Sequence, residues 1–125
     1  MQPRSMSHGI ARVGAGEMTQ YVTILQDNPE RDYEGENLPP LALFSTWAAV
    51  TILQGRDLEK AQEVVAQVTH KVVINYPDVS VESNNYVQLE DGRTFVIQAR
   101  QDMDERKYQL TLLCLERNDG IEGEQ

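Results

Sequence analysis

Asn84-Asn85-Tyr86-Val87-Gln88-Leu89-Glu90-Asp91-Gly92-Arg93-Thr94-Phe95-Val96-Ile97-Gln98-Ala99 is the stretch on which the fold turns. Two short segments rich in β-branched and aromatic residues flank Asp91-Gly92. This dipeptide is the strongest short-range hairpin signal, because both central positions of a type I′ turn need positive φ. The stretch therefore predicts two antiparallel strands, Asn84 to Glu90 and Arg93 to Ala99, joined by a two-residue turn.

Working outward, Val68 to Tyr76 alternates: Val68, His70, Val72, Ile74 and Tyr76 share one face, and Thr69, Lys71, Val73 and Asn75 the other. Period 2 makes this a strand, and Pro77 closes it, since proline cannot donate to a ladder. On the C-terminal side the charged loop Gln101 to Lys107 leads into a last strand, Tyr108 to Leu115. On the N-terminal side Tyr21 to Gln26 is a strand with Val22 and Ile24 on one face. Residues 27 to 40 follow as a long loop containing Asn28-Pro29, Gly35 and Pro39-Pro40. A further strand runs from about Leu43 to Leu53, contains Trp47, and ends at Gly55. From Arg56 to Val68 the period changes to that of a helix: Leu58, Ala61, Val65 and Val68 form its apolar stripe, and Gly55 and Asp57 are the expected caps. About six strands and one short α-helix make the chain mainly β, a small antiparallel β-barrel or sandwich with the helix plugging or flanking one end.

The 125 residues suit a single domain. It is expected over residues 16–117, between a flexible extension (1–15) and a flexible acidic tail (118–125), both without periodicity. Twenty acidic against eleven basic residues give a net charge of −9. With one Trp, five Tyr and two Phe as the only stacking platforms, the chain is ill suited to gripping phosphate backbones. The acidic excess gathers in Asp27 to Glu36, in Asp102 to Glu105 and in the tail. No run approaches the roughly 20 apolar residues of a membrane span, and no signal-peptide h-region stands at the start, so a cytosolic location and no membrane partner are expected.

Candidates for chemistry are few. His8, His70 and Cys114 have no partner at a useful spacing. Cys114 in its apolar strand reads as a small buried group, and His70 on its apolar face as a hydrogen-bonded structural histidine. Two His and one Cys far apart are no zinc set, and Asp27 to Asp32 lacks the spacing of a calcium loop. Gly14-Ala15-Gly16 is no dinucleotide fingerprint. No cofactor, metal or catalytic residue is expected, and an interaction or structural role is favoured over an enzyme.

The order of several blocks carries a resemblance. Gly16-Glu17-Met18 leads into Tyr21 to Gln26; Trp47-Ala48-Ala49-Val50 follows; Gly55-Arg56-Asp57 opens a helix with Ala61. Then come Val68-Thr69-His70-Lys71-Val72-Val73-Ile74-Asn75-Tyr76, Asp91-Gly92-Arg93-Thr94-Phe95-Val96-Ile97, and Asp104 to Lys107 before Leu110 to Cys114. Together these resemble the head-tail joining, or head completion, proteins of long-tailed bacteriophages and prophages, over roughly Gly16 to Glu116. Where family members carry an arginine before the tyrosine that ends the His-containing strand, this chain has Asn75.

The resemblance implies a small β-barrel that assembles as a dodecameric ring beneath the portal and its adaptor. Such a ring closes or extends the DNA exit channel and offers the tail its attachment surface, in the virion and, during assembly, in the host cytoplasm. It also implies a channel-facing or gating segment at Gln54, Gly55, Arg56, Asp57, Leu58, Glu59, Lys60, Gln62 and Glu63, within Gln54 to Gln67. The loop holding Asp27, Asn28, Glu30, Arg31, Asp32, Tyr33 and Glu34 is the expected docking arm, ordering when it meets a partner. The partners are further copies of the chain, the portal or adaptor, and a tail terminator or tail completion protein. DNA slides through an acidic lumen without specific binding. The alternatives are a tail terminator or tail completion ring, and a β-barrel ligand binder or enzyme using Cys114 and His70.

Overall fold

The hairpin at Asp91-Gly92 forms, with a different turn. In the computed structural model, which describes residues 15–28, 35, 38–101 and 108–117, β4 (Tyr86–Leu89) and β5 (Thr94–Gln101) pair antiparallel. Leu89 N–H donates to Arg93 O at 2.9 Å and Gly92 N–H to Leu89 O at 3.0 Å. Gly92 has φ 97°, whereas Asp91 is not at positive φ. The connection is therefore a three-residue loop with its glycine in the left-handed region, not the expected type I′ turn. Asp91 serves instead through Oδ1, which accepts the Arg93 N–H at 2.9 Å.

Four more strands complete the fold: β1 (Gln20–Gln26), β2 (Leu41–Ile52), β3 (His70–Asn75) and β6 (Gln109–Arg117). All neighbours are antiparallel and the sheet closes on itself in the order β1-β2-β3-β6-β5-β4, so the barrel is the correct one of the two expected architectures. Register shifts at Ile24/Leu25 and Ile97/Ala99 mark bulges in β1 and β5, and bulges supply the extra bend that closure requires.

The period-2 pattern sets the interior. Val22 and Ile24, Ala48, Val72 and Ile74, Val87 and Leu89, Phe95 and Ile97, and Leu110, Leu112 and Cys114 fill one core. Val81, from the connection between β3 and β4, is also fully buried there. That connection is tied down by Asn85, whose Oδ1 accepts the Glu82 N–H at 2.8 Å and whose carbonyl accepts the Ile97 N–H at 2.8 Å.

Two parts of the outer wall are covered as well. Met18, just after a 3-10 turn at Ala15–Glu17, lies with Ala49 and Val73. Helix α1 (Gly55–Gln62) joins β2 to β3 and contributes Leu58 and Ala61 to a cluster with Leu53, Val65, Val68, Leu113 and Ala99. Leu113 and Ala99 are lateral partners on the outward face, so the helix flanks the wall. It is shorter than the Arg56 to Val68 expected from spacing. The stripe still converges, but after Gln62 the chain turns, with Val64 and Val65 N–H groups donating to Ala61 O at 3.0 and 3.1 Å. The β-branched pair Val64-Val65 favours that stop. Neither expected cap acts as one: Gln54 is the N-cap without a side-chain bond, and Gly55 is the first helical residue at φ 58°. Asp57 lies in the first turn, where a carboxylate suits the helix dipole.

Candidate functional site

Chain direction separates the two segments singled out from sequence. β2 spans twelve residues; the 27–40 connection enters it at one end and α1 leaves it at the other. The α1 end of the barrel also holds the β4–β5 turn, and the opposite end holds the β1–β2, β3–β4 and β5–β6 connections.

At the α1 end, Gln54, Gly55, Arg56, Asp57, Glu59, Lys60, Gln62 and Glu63 are exposed, while Leu58 is half-buried and Ala61 buried. The segment thus offers a continuous polar face of mixed charge. At the other end Asp27 and Asn28 are described, and Glu30, Arg31, Asp32, Tyr33 and Glu34 lie outside the described residues. Asp27 is anchored: its Oδ2 accepts the Tyr86 hydroxyl at 3.1 Å. Burial, and then the Asp27 carboxylate, push the Tyr86 phenol above its ordinary pKa.

A polar cluster at the α1-end mouth was not expected from sequence. His70, 5 % exposed, points inward and meets Phe95 edge-to-face with centroids 4.7 Å apart. Its Nδ1 lies 2.9 Å from Thr69 Oγ1 and its Nε2 3.4 Å from Arg93 Nη2. Thr69 Oγ1 donates to Cys114 O at 3.4 Å and accepts the Glu116 N–H at 2.8 Å. With its one hydroxyl proton used, Thr69 must accept from His70, so Nδ1 carries the proton and Nε2 accepts from Arg93. Arg93 Nε bonds Glu116 Oε2 at 3.0 Å, and its guanidinium lies 5.3 Å from the Phe95 ring centre. Burial holds the His70 pKa below its ordinary value; Glu116 opposes the shift and Arg93 adds to it. The bond from Arg93 holds the Glu116 carboxyl below its usual range. The signal that could have found this cluster is parity: Glu116 continues the inward set Leu110, Leu112 and Cys114.

Cys114 and His70 are lateral partners on β6 and β3, so the fold does bring the candidate pair together. It does not make the thiol a nucleophile. Cys114 is fully buried, its Sγ lies 3.7 Å from Leu112 O, and burial pushes the thiol pKa far up, opposite to what thiolate chemistry needs.

On the outer wall, Tyr21 and Trp47 are register partners with rings 5.1 Å apart at 64°. Trp47 is 53 % exposed. Sequence placed it in a strand but not on a side.

Comparison with known proteins agrees with this architecture. No curated protein matches the chain. The solution structure of protein SF1141 from Shigella flexneri 2a is similar, with a TM-score of 0.66 at 22 % identity over 88 % of this chain and 99 % of that one; at that identity the likeness speaks for the fold. The family described as phage head completion protein matches residues 13–117, which take in every strand of the barrel and α1. The chain therefore belongs to the phage head completion protein family, whose members have a structural role at the phage head.

Proposed function

We propose that copies of this chain form a ring beneath the portal and its adaptor, close or extend the DNA exit channel, and give the tail its attachment surface. The observation that carries this reading is the family match across the whole barrel. The layout supports it: the two polar segments leave from opposite ends of one closed barrel, as suits a part held between two partners. The docking loop from Asp27 to Glu34 serves one of these partners.

Residues Gln54 to Glu63 face the channel in this reading. An eight-residue helix is too short to hold itself in water, so α1 depends on Leu58, Ala61 and their neighbours for its place. Those few contacts also set how readily it moves toward the lumen. With a net charge of −9 repeated around a ring, DNA slides past and does not bind. The protein works in the virion at the head-tail junction and reaches it from the host cytoplasm.

The test uses DNA-filled heads made without this protein. Adding the purified chain should stop genome leakage and restore tail joining. Binding to isolated tail tubes and not to filled heads would assign it to the tail terminator or tail completion ring and defeat the reading.

A further inference from the structure

Copies of a chain carrying −9 repel one another, and interface centres are depleted in charged residues, so a charge-poor wall is where two copies meet at least electrostatic cost. Residues 18–26 and 38–54, which supply β1, β2 and their flanks, contain no Asp, Glu, Lys or Arg. The outward face of this ribbon presents Tyr21 and Trp47, 37 % and 53 % exposed. Beside them the hydroxyls of Thr23 and Ser45 bond each other at 2.9 Å. Absence of charge together with exposed Tyr and Trp is the composition of an interface centre.

In the closed order β1-β2-β3-β6-β5-β4, the strand across the barrel from β2 is β5. Its outward Val96 pairs with Tyr86 on one side and Leu115 on the other, and all three are half-buried. The charges at the rim of this row are engaged: Asp27 holds the Tyr86 hydroxyl, and the Arg117 guanidinium lies 5.3 Å from the Tyr86 ring centre. Two unlike apolar faces on opposite walls allow a contact that repeats head to tail, the kind that generates rings.

We infer that the charge-free β1–β2 wall centred on Trp47 packs against the Tyr86-Val96-Leu115 wall of a second copy of this chain. The inference deepens the ring reading and rests on it for the closure of the ring.

Trp47 is the only tryptophan, so its emission reports on the wall directly. Raising the wild-type concentration to about 1 mM should shift that emission to the blue as sedimentation shows larger species. Trp47→Ser and Val96→Glu should each weaken self-association by about 30-fold or more. Mixed one to one, they should give a dimer and nothing larger, because the mixture keeps one intact wall of each kind. Urea unfolding checks that each variant is folded, and Leu115→Lys replaces Val96→Glu if that chain does not fold. A wild type that stays monomeric, a mixture that stays monomeric, or association that survives either substitution overturns the inference. So does a Trp47→Ser chain that self-associates normally but no longer binds DNA-filled heads, which would give the wall to the portal side. The ring reading fails separately, if the wild-type chain associates as described yet leaves filled heads leaking.

Discussion

Phe95 on β5 and Trp47 on β2 are both aromatic residues of antiparallel strands, yet Phe95 is 0 % exposed and Trp47 53 %. The difference is the side of the wall. A closed barrel of six strands has an interior only wide enough for side chains, so each inward residue is wedged among others from across the barrel. An outward residue is buried only where something lies over it. Met18 does this with Ala49 and Val73, and α1 does it for Leu113 and Ala99. Trp47 packs against the edge of Tyr21 and stays 53 % exposed. The interior thus accounts for folding, and the uncovered wall is where partners can meet the barrel.

The largest effect should come from the interior. Phe95→Ala removes a fully buried ring that also packs against His70 and Arg93, and such truncations cost about 3–5 kcal/mol. Urea unfolding should show a clearly lower midpoint, because this loss is a substantial fraction of the roughly 5–15 kcal/mol that stabilises a native domain. A loss below about 1 kcal/mol would mean that the core collapses around the gap, and the contrast with Trp47 would break.

Next comes the hairpin turn. Gly92 stands at φ 97°, and a Cβ there would meet nothing within 4 Å. The cost of Gly92→Ala is therefore conformational alone, about 1–2 kcal/mol for an L-residue forced into the left-handed region. Gly92→Asn should cost less, because asparagine tolerates that region. Equal losses for the two variants, measured by thermal unfolding, would point to steric contact instead of backbone preference.

Acid should weaken the barrel mouth. His70 is held neutral in the folded state, so the unfolded chain takes up its proton first as pH falls. The stability it contributes is whole above its unfolded pKa of about 6.5 and is lost as pH drops through the lower folded value. Glu116, held ionised by Arg93, acts in the same direction from about 4.5 downward. The exposed Arg93–Glu116 pair itself is worth only about 0.2–1 kcal/mol. The urea midpoint should be flat above about pH 7 and decline below it. Replacing His70 by Asn should remove the upper part of the decline, and Glu116→Gln the lower. A midpoint that rises on acidification would contradict both assignments.

The sequence was legible where burial follows alternation. All six strands lie close to their expected positions, and His70, Val72 and Ile74 face inward as their spacing implied. It was less legible where one local signal fits two geometries. Asp-Gly suits a two-residue turn and also a three-residue loop, and the carboxylate bond to Arg93 N–H accompanies the second. The stripe from Leu58 to Val68 fits one helix, but four apolar residues can also reach one patch from a helix and a turn. The cluster of Thr69, His70, Arg93 and Glu116 draws on three separate strands or turns; parity along the last strand puts Glu116 on the inward side, but which residues it meets there depends on the register between strands. Trp47 was placed in a strand, but which face stays uncovered depends on where Met18 and α1 come to rest.

The smallest expected effect on folding is that of Trp47→Ser, although it removes the bulkiest side chain in the protein. An exposed cross-strand aromatic pair contributes about 0.2–1 kcal/mol, well under the expected loss at Phe95. Unfolding of the two single variants and the double variant Tyr21→Ser with Trp47→Ser isolates the pair energy. A coupling above about 1 kcal/mol would mean that the outer pair clamps β1 to β2, and that the barrel itself has use for these rings. A coupling inside that range leaves the folded monomer nearly indifferent to Trp47. Any large effect of the substitution on association or head binding then belongs to the wall as a contact surface and not to the stability of the barrel beneath it.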